Sequence, residues 1–414
     1  MHRKKALINI SLFVAAVCLL PANSWAVSRC EVGGKHVSPF NGSTTAGVTG
    51  MMRCTTEGTG LLSSEQELRG GVFMGLSRFF DASGKIQRER MINERGNTEG
   101  FDREFWPNGK LKSESVQANG IIRGAARQYG ESGRIERASY TLDSQVLASL
   151  SWARDGSLAA LLCSQASLLS EDTKPCGFDG KVQTALFQNG KRRELRVMEQ
   201  GKILAVTTFR QAPSNAADAA TELVASELTF QNGQRWHRVY SPDGAANGAN
   251  LLREERLYEP GRDSRSNDYP VNSTGGRLQW SKAWGANAQL TEHIRYANGR
   301  PNLTERWYLN SSIKEKITVT LDSGGSRSVR ESFDDDGKIT ERLSSISIGV
   351  DRPQLTGLQQ SFHANGKVAT EETFSKPDEH GRTRLIARKQ WDASGKLQSD
   401  DEILEDGSRW RSAM

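Results

Sequence analysis

The sequence predicts an all-β fold, in which repeated antiparallel β-hairpins form one or more long meandering sheets. Three observations lead to this prediction. An aromatic or apolar lead-in, followed within a few residues by Asn, Asp or Ser and then Gly, recurs in twelve turns. The segments between the turns alternate polar and apolar residues, as strands with one better covered face do. Only 36% of the 414 residues are hydrophobic, which favours thin, shared cores.

The turn pattern is typical of a three-residue hairpin loop, in which a type I turn is followed by a left-handed residue that forms a bulge. Glycine adopts a positive φ without steric cost, and the Asn, Asp or Ser before it hydrogen-bonds the local backbone. Pro107 and Pro242 fall where the turn requires a φ of about −65°. The structural turn glycines are therefore predicted to be Gly84, Gly109, Gly133, Gly156, Gly299, Gly337, Gly366 and Gly395.

The turns are nearly evenly spaced in the first part of the chain. Gly84, Gly109, Gly133 and Gly156 are separated by 25, 24 and 23 residues, a length that holds two ordinary strands and two turns. A second glycine precedes several turns by nine residues, as Gly100 precedes Gly109. We expect this second glycine at the other end of the strand.

Two segments carry a family resemblance. Gly100 to Glu114 reads Gly-x5-Trp-Pro-Asn-Gly-Lys-Leu-Lys-Ser-Glu, and residues 362–371 read Phe-His-Ala-Asn-Gly-Lys-Val-Ala-Thr-Glu. Both resemble the bacterial variant of the MORN repeat, as in the YwqK-type family that is associated with antitoxins. Residues 71–160 and 357–400 are close to this pattern, and the middle of the chain is degenerate. The resemblance implies a scaffold or binding role, sometimes near membranes, with stability supplied by neighbouring repeats.

The first 26 residues resemble a secretory signal peptide. Residues 2–5 are His-Arg-Lys-Lys, residues 8–20 are apolar, and Ser24 and Ala26 are small residues at the positions that signal peptidase reads. The apolar run is shorter than the roughly 20 residues of a membrane span. We therefore expect cleavage after Ala26 and export, to the periplasm first of all, with the cell surface or secretion as alternatives.

The balance of charges argues against a nucleic-acid partner. The whole chain has 55 Lys and Arg residues and 49 acidic residues, and the leader carries three of the basic ones and no acid. The mature chain would thus have a net charge of only +3, which is weak support for nucleic-acid binding. The family resemblance alone leads us to expect that the protein can associate with a membrane surface.

Four cysteines follow the leader, namely Cys30, Cys54, Cys163 and Cys176. An even number in an exported chain favours two disulfides, and pairing between sequence neighbours would join Cys30 to Cys54 and Cys163 to Cys176. The other two connectivities stay open. No Cys-x-x-Cys or His-x-x-x-His spacing accompanies the cysteines, so neither a metal nor a cofactor is predicted.

Catalytic motifs are not found in the sequence. It contains no Gly-x-Ser-x-Gly elbow, zinc-protease motif or phosphate-binding loop, and we predict that the protein is not an enzyme. Asp334, Asp335 and Asp336 precede Gly337, but a calcium-binding loop that begins at Ser332 would have Leu343 where a glutamate is required. A catalytic site assembled from distant residues is the alternative.

Arg and aromatic residues alternate on several predicted strands, and such side chains are favoured anchors of interfaces. The competing interpretation, which we favour, is that they form a packing ladder between neighbouring hairpins. The candidate binding residues are Arg127, Tyr129, Arg235, Trp236, Arg306, Trp307 and Tyr308.

Interruptions of the repeat predict the division of the chain. Cysteine-rich or Pro, Gly and polar stretches separate the hairpin blocks. The predicted segments are a signal peptide at 1–26, a disulfide-bearing segment at 27–62, hairpin repeats at 63–160, a Cys-containing insert at 161–180, degenerate repeats at 181–258, an exposed loop or linker at 259–288, and C-terminal repeats at 289–414.

Two functions remain for such a chain. The first is a non-enzymatic protein-binding or scaffolding module whose partner is another envelope protein, with an antitoxin-like or immunity-like role as its narrower form. The alternative is a module that binds or hydrolyses cell-wall glycan without a recognisable catalytic motif. The sequence leaves the oligomeric state and the identity of the partner open.

Overall fold

The computed structural model describes residues 28–211, 222–241, 251–259, 276–322, 325–348 and 352–411. These residues form two long antiparallel meandering sheets of 12 and 18 strands, with one helix of four residues. The all-β prediction is therefore confirmed. The predicted signal peptide lies outside the described residues.

The first sheet contains strands β1 to β12. From β3 to β12 each strand pairs with its neighbours in sequence, while β1 lies between β3 and β2 at one edge. The short helix α1 (Gly42–Thr45) connects β2 to β3. The strands are β1 (Ser28–Val32), β2 (Lys35–Val37), β3 (Gly50–Thr56), β4 (Leu62–Arg69), β5 (Val72–Phe80), β6 (Ile86–Ile92), β7 (Thr98–Phe105), β8 (Leu111–Ala118), β9 (Ile121–Tyr129), β10 (Ile135–Leu142), β11 (Gln145–Trp152) and β12 (Leu158–Leu162).

The second sheet follows the chain strictly in order from β13 to β30, and β24 pairs with both β25 and β26. Its strands are β13 (Val182–Gln188), β14 (Lys191–Glu199), β15 (Lys202–Gln211), β16 (Glu222–Gln231), β17 (Gln234–Tyr240), β18 (Leu252–Tyr258), β19 (Leu278–Trp284), β20 (Leu290–Ala297), β21 (Arg300–Trp307), β22 (Ile313–Asp322), β23 (Gly325–Phe333), β24 (Ile339–Ser347), β25 (Gln354–Leu355), β26 (Gly357–Phe362), β27 (Val368–Phe374), β28 (Leu385–Trp391), β29 (Leu397–Ile403) and β30 (Arg409–Arg411).

The chain forms two compact units, residues up to 122 with 131–133, and residues 123–130 with 134 onward. Each unit has its own small cluster of buried hydrophobic residues. The cluster of unit 1 is Cys30, Val32, Val37, Met52, Cys54 and Leu68. The cluster of unit 2 is Ala138, Ala148, Leu150, Leu161, Cys163, Leu169, Cys176, Leu186 and Met198.

Most of the second sheet lies beyond these clusters. After β15, only Leu223 and Leu257 are buried hydrophobic residues in the described part of the chain. Side chains on both faces of the later strands are mostly half-buried. Stability there depends on contacts between adjacent strands, which is why a chain this poor in hydrophobic residues can fold.

Both predicted disulfides form within these clusters. Cys30 pairs with Cys54 across β1 and β3, with 4.0 Å between their Cα atoms. Cys163 pairs with Cys176 in the segment between β12 and β13, with a Cα separation of 5.8 Å. That segment has turns and no strand, because it folds back onto the cluster of unit 2 instead of extending the sheet.

The three-residue hairpin loop occurs as predicted in the regular repeats. In the loop after β5, the Gly84 N–H donates to the Asp81 carbonyl (2.9 Å) and the Asp81 N–H donates to the Lys85 carbonyl (2.8 Å). The glycine has a φ of +79°. The same pair of hydrogen bonds recurs in the loops of Gly109, Gly156, Gly337, Gly366, Gly395 and Gly407.

Of the predicted turns within the described residues, three are of another type, so the prediction of one common loop is wrong there. The predicted turn that contains Pro242 and Gly244 lies outside the described residues. Residues 189–190, 232–233 and 298–299 are Asn-Gly pairs in which both residues have a positive φ. The strands pair directly across them, as Ala297 does with Arg300. These are two-residue type I′ turns, which need left-handed backbone at both positions and therefore favour Asn before Gly.

The predicted linker at 259–288 also requires a correction. Residues 260–275 lie outside the described residues, but Leu278–Trp284 forms β19, which pairs with β18 and β20. The Pro, Gly and Ser residues before this strand suggested a loop, whereas the alternation of Leu278, Trp280, Lys282 and Trp284 is that of a strand.

Candidate binding surface

In each sheet, side-chain hydrogen bonds join the hairpin loops that lie at the same end of the strands. In unit 1, the Asn108 Nδ2 donates to the Glu131 carbonyl (2.9 Å) and the Lys110 Nζ donates to the Ser132 carbonyl (2.7 Å). Lys85 reaches the Pro107 carbonyl in the same manner (3.1 Å). Asn and Lys of the Asn-Gly-Lys pattern therefore bind the backbone of the next loop.

Unit 2 repeats this arrangement. The Asn365 Nδ2 donates to the Ala393 carbonyl (2.6 Å) and the Lys367 Nζ donates to the Ser394 carbonyl (2.5 Å). We call these bonds between adjacent loops the turn ladder. The turn ladder joins each hairpin to the next through the backbone carbonyls of exposed loops.

A row of alternating charges crosses unit 1 on one face of its sheet. Each member lies directly opposite the next one in register. Glu65, for example, accepts from Arg53 at 3.0 Å and from Arg78 at 3.3 Å. The row consists of Arg53, Glu65, Arg78, Glu89, Arg103 and Glu114.

A longer row crosses unit 2, and we call it the charge ladder. Its thirteen residues are in register from β16 to β29, and opposite charges alternate except where His293 and Gln360 stand between them. The charge ladder consists of Glu227, Arg238, Glu255, Lys282, His293, Glu305, Lys316, Glu331, Arg342, Gln360, Glu371, Lys389 and Asp400. Cross-strand pairs of opposite charge stabilise adjacent strands.

A cluster of two tryptophans and one leucine lies beside the charge ladder on the same face of the sheet. Trp236, Leu257 and Trp280 are opposite one another on β17, β18 and β19, and we call these three residues the Trp patch. The two indole rings meet edge to face with 5.5 Å between their centroids. Leu257, between them, is only 6% exposed. The Trp patch is thus an apolar centre with charged residues along one side.

The charged residues next to the Trp patch contact it directly. The Lys282 Nζ lies 4.8 Å from the ring centroid of Trp280, and the His293 ring lies edge to face with Trp280 at 6.2 Å. Burial, together with Lys282 and Arg295 nearby, lowers the pKa of His293, against the pull of Glu305. His293 is therefore uncharged at neutral pH.

A second perturbed group lies on β17. The Tyr240 hydroxyl donates to the Glu227 Oε2 at 2.6 Å. Burial and this hydrogen bond to a carboxylate raise the pKa of Tyr240 well above its usual range. Tyr240 therefore stays protonated and holds Glu227 in place.

A groove of about 500 Å³ lies over strands β13 to β16. Val197, Ala205 and Thr229 are among its lining residues, and Ala205 and Thr229 lie in the same cross-strand row as Trp236. Small side chains in this row leave room beside the larger indole. The groove therefore adjoins the Trp patch, because Thr229, which lines the groove, lies directly opposite Trp236.

The seven predicted binding residues are divided among three separate strands. β17 and β21 are four strands apart, which corresponds to about 19 Å at the usual strand spacing. Of the seven, only Trp236 belongs to the Trp patch. The structure therefore does not bring the predicted residues together in one site.

The other predicted residues make contacts within the sheet. Arg127 binds Glu171 (2.6 Å), and Arg235 lies over the ring of Tyr258 (4.0 Å). Arg306 pairs with Glu292 and Glu315, and the Tyr308 hydroxyl donates to the Phe333 carbonyl (2.9 Å). Tyr129 and Trp307 are half-buried at the ends of β9 and β21.

Sequence reasoning missed Leu257, Trp280 and His293. Trp280 fell within the predicted linker, and the polar stretch before it concealed the strand. The signal that could have found it is the spacing of Trp280, Lys282 and Trp284, which places three large side chains on one face of a strand.

Comparison with known families identifies one of the hairpins. Residues 355–376 match the MORN repeat variant. The matched residues contain β26, β27 and the loop in which Asn365 and Lys367 contribute to the turn ladder. The matched hairpin thus contributes bonds between adjacent loops. No curated protein matches the chain.

Two features are absent from the described ranges. No three His, Cys, Asp or Glu residues within them are grouped so that they could hold a metal ion. Among the same residues, no helix has the length and apolar character needed to cross a membrane.

Proposed function

We propose that the protein is a non-catalytic, exported repeat protein that binds another protein of the bacterial envelope through the Trp patch and the adjoining groove. The observation that supports this proposal most strongly is the edge-to-face pair of Trp236 and Trp280 on one face of the sheet. Tryptophans at the centre of a surface, with charged groups at the margin, are typical of protein interfaces.

The charge ladder suits the margin of such an interface. Arg238 is paired with Glu255 at 2.8 Å, so its charge is largely compensated before a partner arrives. Alternating charges along one row favour a partner whose charges alternate in the opposite order, which contributes to selectivity more than to affinity.

Export is supported by the two cysteine pairs, because disulfides persist in oxidising compartments. We place the protein in the periplasm, with the cell surface as the second location. Neutralisation of an exported toxin, as an antitoxin or immunity protein does, is the narrower form of the proposal.

The proposal is tested by affinity capture from an envelope extract with the mature protein and its Trp280→Ala variant. We expect a stoichiometric protein partner for the wild type and at least a tenfold loss of that same partner for the variant. Trp410→Ala is the matched control, because Trp410 is 59% exposed and lies far along the sheet order on β30. It should retain the partner.

Paired tryptophans also bind sugars, so the same samples are applied to purified cell-wall material. Retention of the wild type there, with loss in Trp280→Ala and without any protein partner, would replace the protein-binding proposal with a glycan-binding one.

A further inference from the structure

Arg90 on β6 is a cation without a carboxylate partner among the described residues. None of its side-chain nitrogens has a hydrogen-bond or ion-pair partner among the described residues, and its Nε is shielded from solvent as well. Other arginines of unit 1, such as Arg78, Arg88 and Arg103, are paired with carboxylates. A shielded guanidinium nitrogen without a hydrogen bond is costly and needs an explanation.

The carboxylate nearest in register is already occupied. Arg90 lies directly opposite Asp102 on β7, but Asp102 binds Arg88 through both of its oxygens, at 2.9 and 2.6 Å. Gln117 donates to the same carboxylate at 3.0 Å. Asp102 is only 8% exposed. It therefore has little capacity left for Arg90.

The surroundings hold Arg90 in place without neutralising it. The Phe79 ring lies 5.8 Å from its guanidinium carbon, and Ser77, 2% exposed, lies opposite Arg90 on β5. Arg88, two residues away on the same face, repels it. Burial is the larger cause that lowers the pKa of Arg90, and the positive charge of Arg88 is the smaller one. The negative charge of Asp102 acts in the opposite direction. Arg88, Arg90 and Asp102 together carry a net charge of +1, and Glu104, opposite Arg88 on the same face, is itself paired with Lys112 at 3.3 Å.

We infer that Arg90 is the centre of a binding site for a carboxylate, on the face of unit 1 opposite its row of alternating charges. The two Nη atoms of Arg90, which are not shielded as its Nε is, can donate two parallel hydrogen bonds to a carboxylate, and one negative charge would balance the cluster. The Asp102–Arg88–Gln117 contacts position the site by fixing the side chains beside Arg90.

The carboxylate can come from a free acid or from an acidic side chain of a polypeptide. The test uses the full-length mature protein with ¹⁵N-labelled arginine, and it follows the Nε–Hε signal of Arg90, which the spectrum of Arg90→Gln assigns. Acetate and an end-capped hexaglutamate peptide are the two probes. Sodium chloride at equal ionic strength controls for charge screening.

We expect a saturable shift of the Arg90 signal with a carboxylate probe and none with chloride. Binding to the variants is followed at the Nε–Hε signal of Arg88, which lies beside Arg90 and is present in all of them. Arg90→Gln should abolish the shift of this signal, and Arg90→Lys should weaken binding by about tenfold, because lysine lacks the planar fork. Binding of hexaglutamate at least tenfold more tightly than acetate assigns the site to a polypeptide. Equal binding per carboxylate assigns it to a free acid.

Arg103→Gln is the matched control, since Arg103 lies on the opposite face in an ion pair with Glu89. Its binding should equal that of the wild type. The inference is overturned if chloride produces the same shift, or if Arg103→Gln weakens binding as much as Arg90→Gln. Thermal melting separates binding from folding, because Arg90→Gln should melt no lower than the wild type.

Discussion

The Asn365 side-chain amide donates a hydrogen bond to the Ala393 carbonyl at 2.6 Å, across 28 residues of sequence. The side-chain oxygen of Asn365, Oδ1, accepts a hydrogen bond from the backbone N–H of Lys367 within its own loop (3.0 Å). One side chain thus closes its own turn and also binds the next hairpin. The Asn of the repeated Asn-Gly pattern is therefore both a local residue and an inter-repeat residue.

Loss of the amide donor should destabilise unit 2. Asn365→Asp retains an acceptor for Lys367 but cannot donate to Ala393, and we expect a loss of about 1 kcal/mol in the free energy of unfolding. Urea denaturation measures this value. The exposed neighbour substitution Ala364→Ser should change stability by less than about 0.5 kcal/mol. An equal effect of both substitutions would contradict the role of the turn ladder.

Glycine substitutions should separate backbone strain from collision. A Cβ at Gly109, with a φ of +82°, would meet no atom within 4 Å, so Gly109→Val should cost about 1 to 3 kcal/mol from strain alone. At Gly201 a Cβ would collide with the Ser164 carbonyl oxygen. Gly201→Ala should therefore lower the free energy of unfolding more than Gly109→Ala does. Chemical denaturation of the two variants measures this difference. A larger loss for Gly109→Ala would contradict the role of the collision.

Acid should weaken the loop that contains Asp392. Its carboxylate accepts from the Ser394 hydroxyl and from the backbone N–H groups of Ser394 and Lys396, which holds the pKa of Asp392 at about 2. A lowered pKa means that the stabilisation is complete above about pH 4, the ordinary value of an aspartate, and is lost as the pH falls toward 2.

The melting temperature of Asp392→Asn, measured between pH 5 and pH 2, checks this prediction. The variant cannot titrate at this position, so its melting temperature should fall less steeply than that of the wild type. Parallel curves for the two proteins would show that Asp392 contributes nothing to the acid sensitivity.

Removal of the second disulfide should destabilise unit 2 severely. Cys163 and Cys176 are 3% and 0% exposed and belong to its hydrophobic cluster. Their loop spans 13 residues, for which a loss of about 3 kcal/mol is expected in Cys163→Ser/Cys176→Ser. Urea denaturation measures the loss. A non-reducing peptide map of periplasmic material that finds free thiols at these positions would disprove the pairing.

Charge reversal at Arg103 should test the alternating row of unit 1. Arg103→Glu would place three acids in register at Glu89, position 103 and Glu114, and we expect a loss of about 1 kcal/mol. Arg103→Gln removes the attraction without the repulsion and should cost less. Repeating the denaturation in 1 M salt should reduce the difference between the variants, since salt screens exposed charges. A difference independent of salt would point to packing.

The sequence predicted the regular repeats because their information is local. Gly84 and Gly109 need a left-handed backbone that few other residues adopt, and the alternating residues between them are read over a few positions. The prediction from sequence was wrong at Asn298–Gly299, where a two-residue turn has the same Asn-Gly pair as the three-residue loops. It also failed at Trp280, where a polar neighbouring stretch outweighed the alternation in the strand.

The hairpins and their period follow from the sequence by itself, because each depends on residues close together along the chain. The sequence favoured pairing between neighbouring cysteines, and the structure decided among the three connectivities. The site depended on the tertiary structure. The register between strands set Trp236 against Trp280 and left Arg90 without a carboxylate, since Asp102 binds Arg88 instead. A shift of one residue in register would move each of these side chains to the other face. Only the paired strands determine that register.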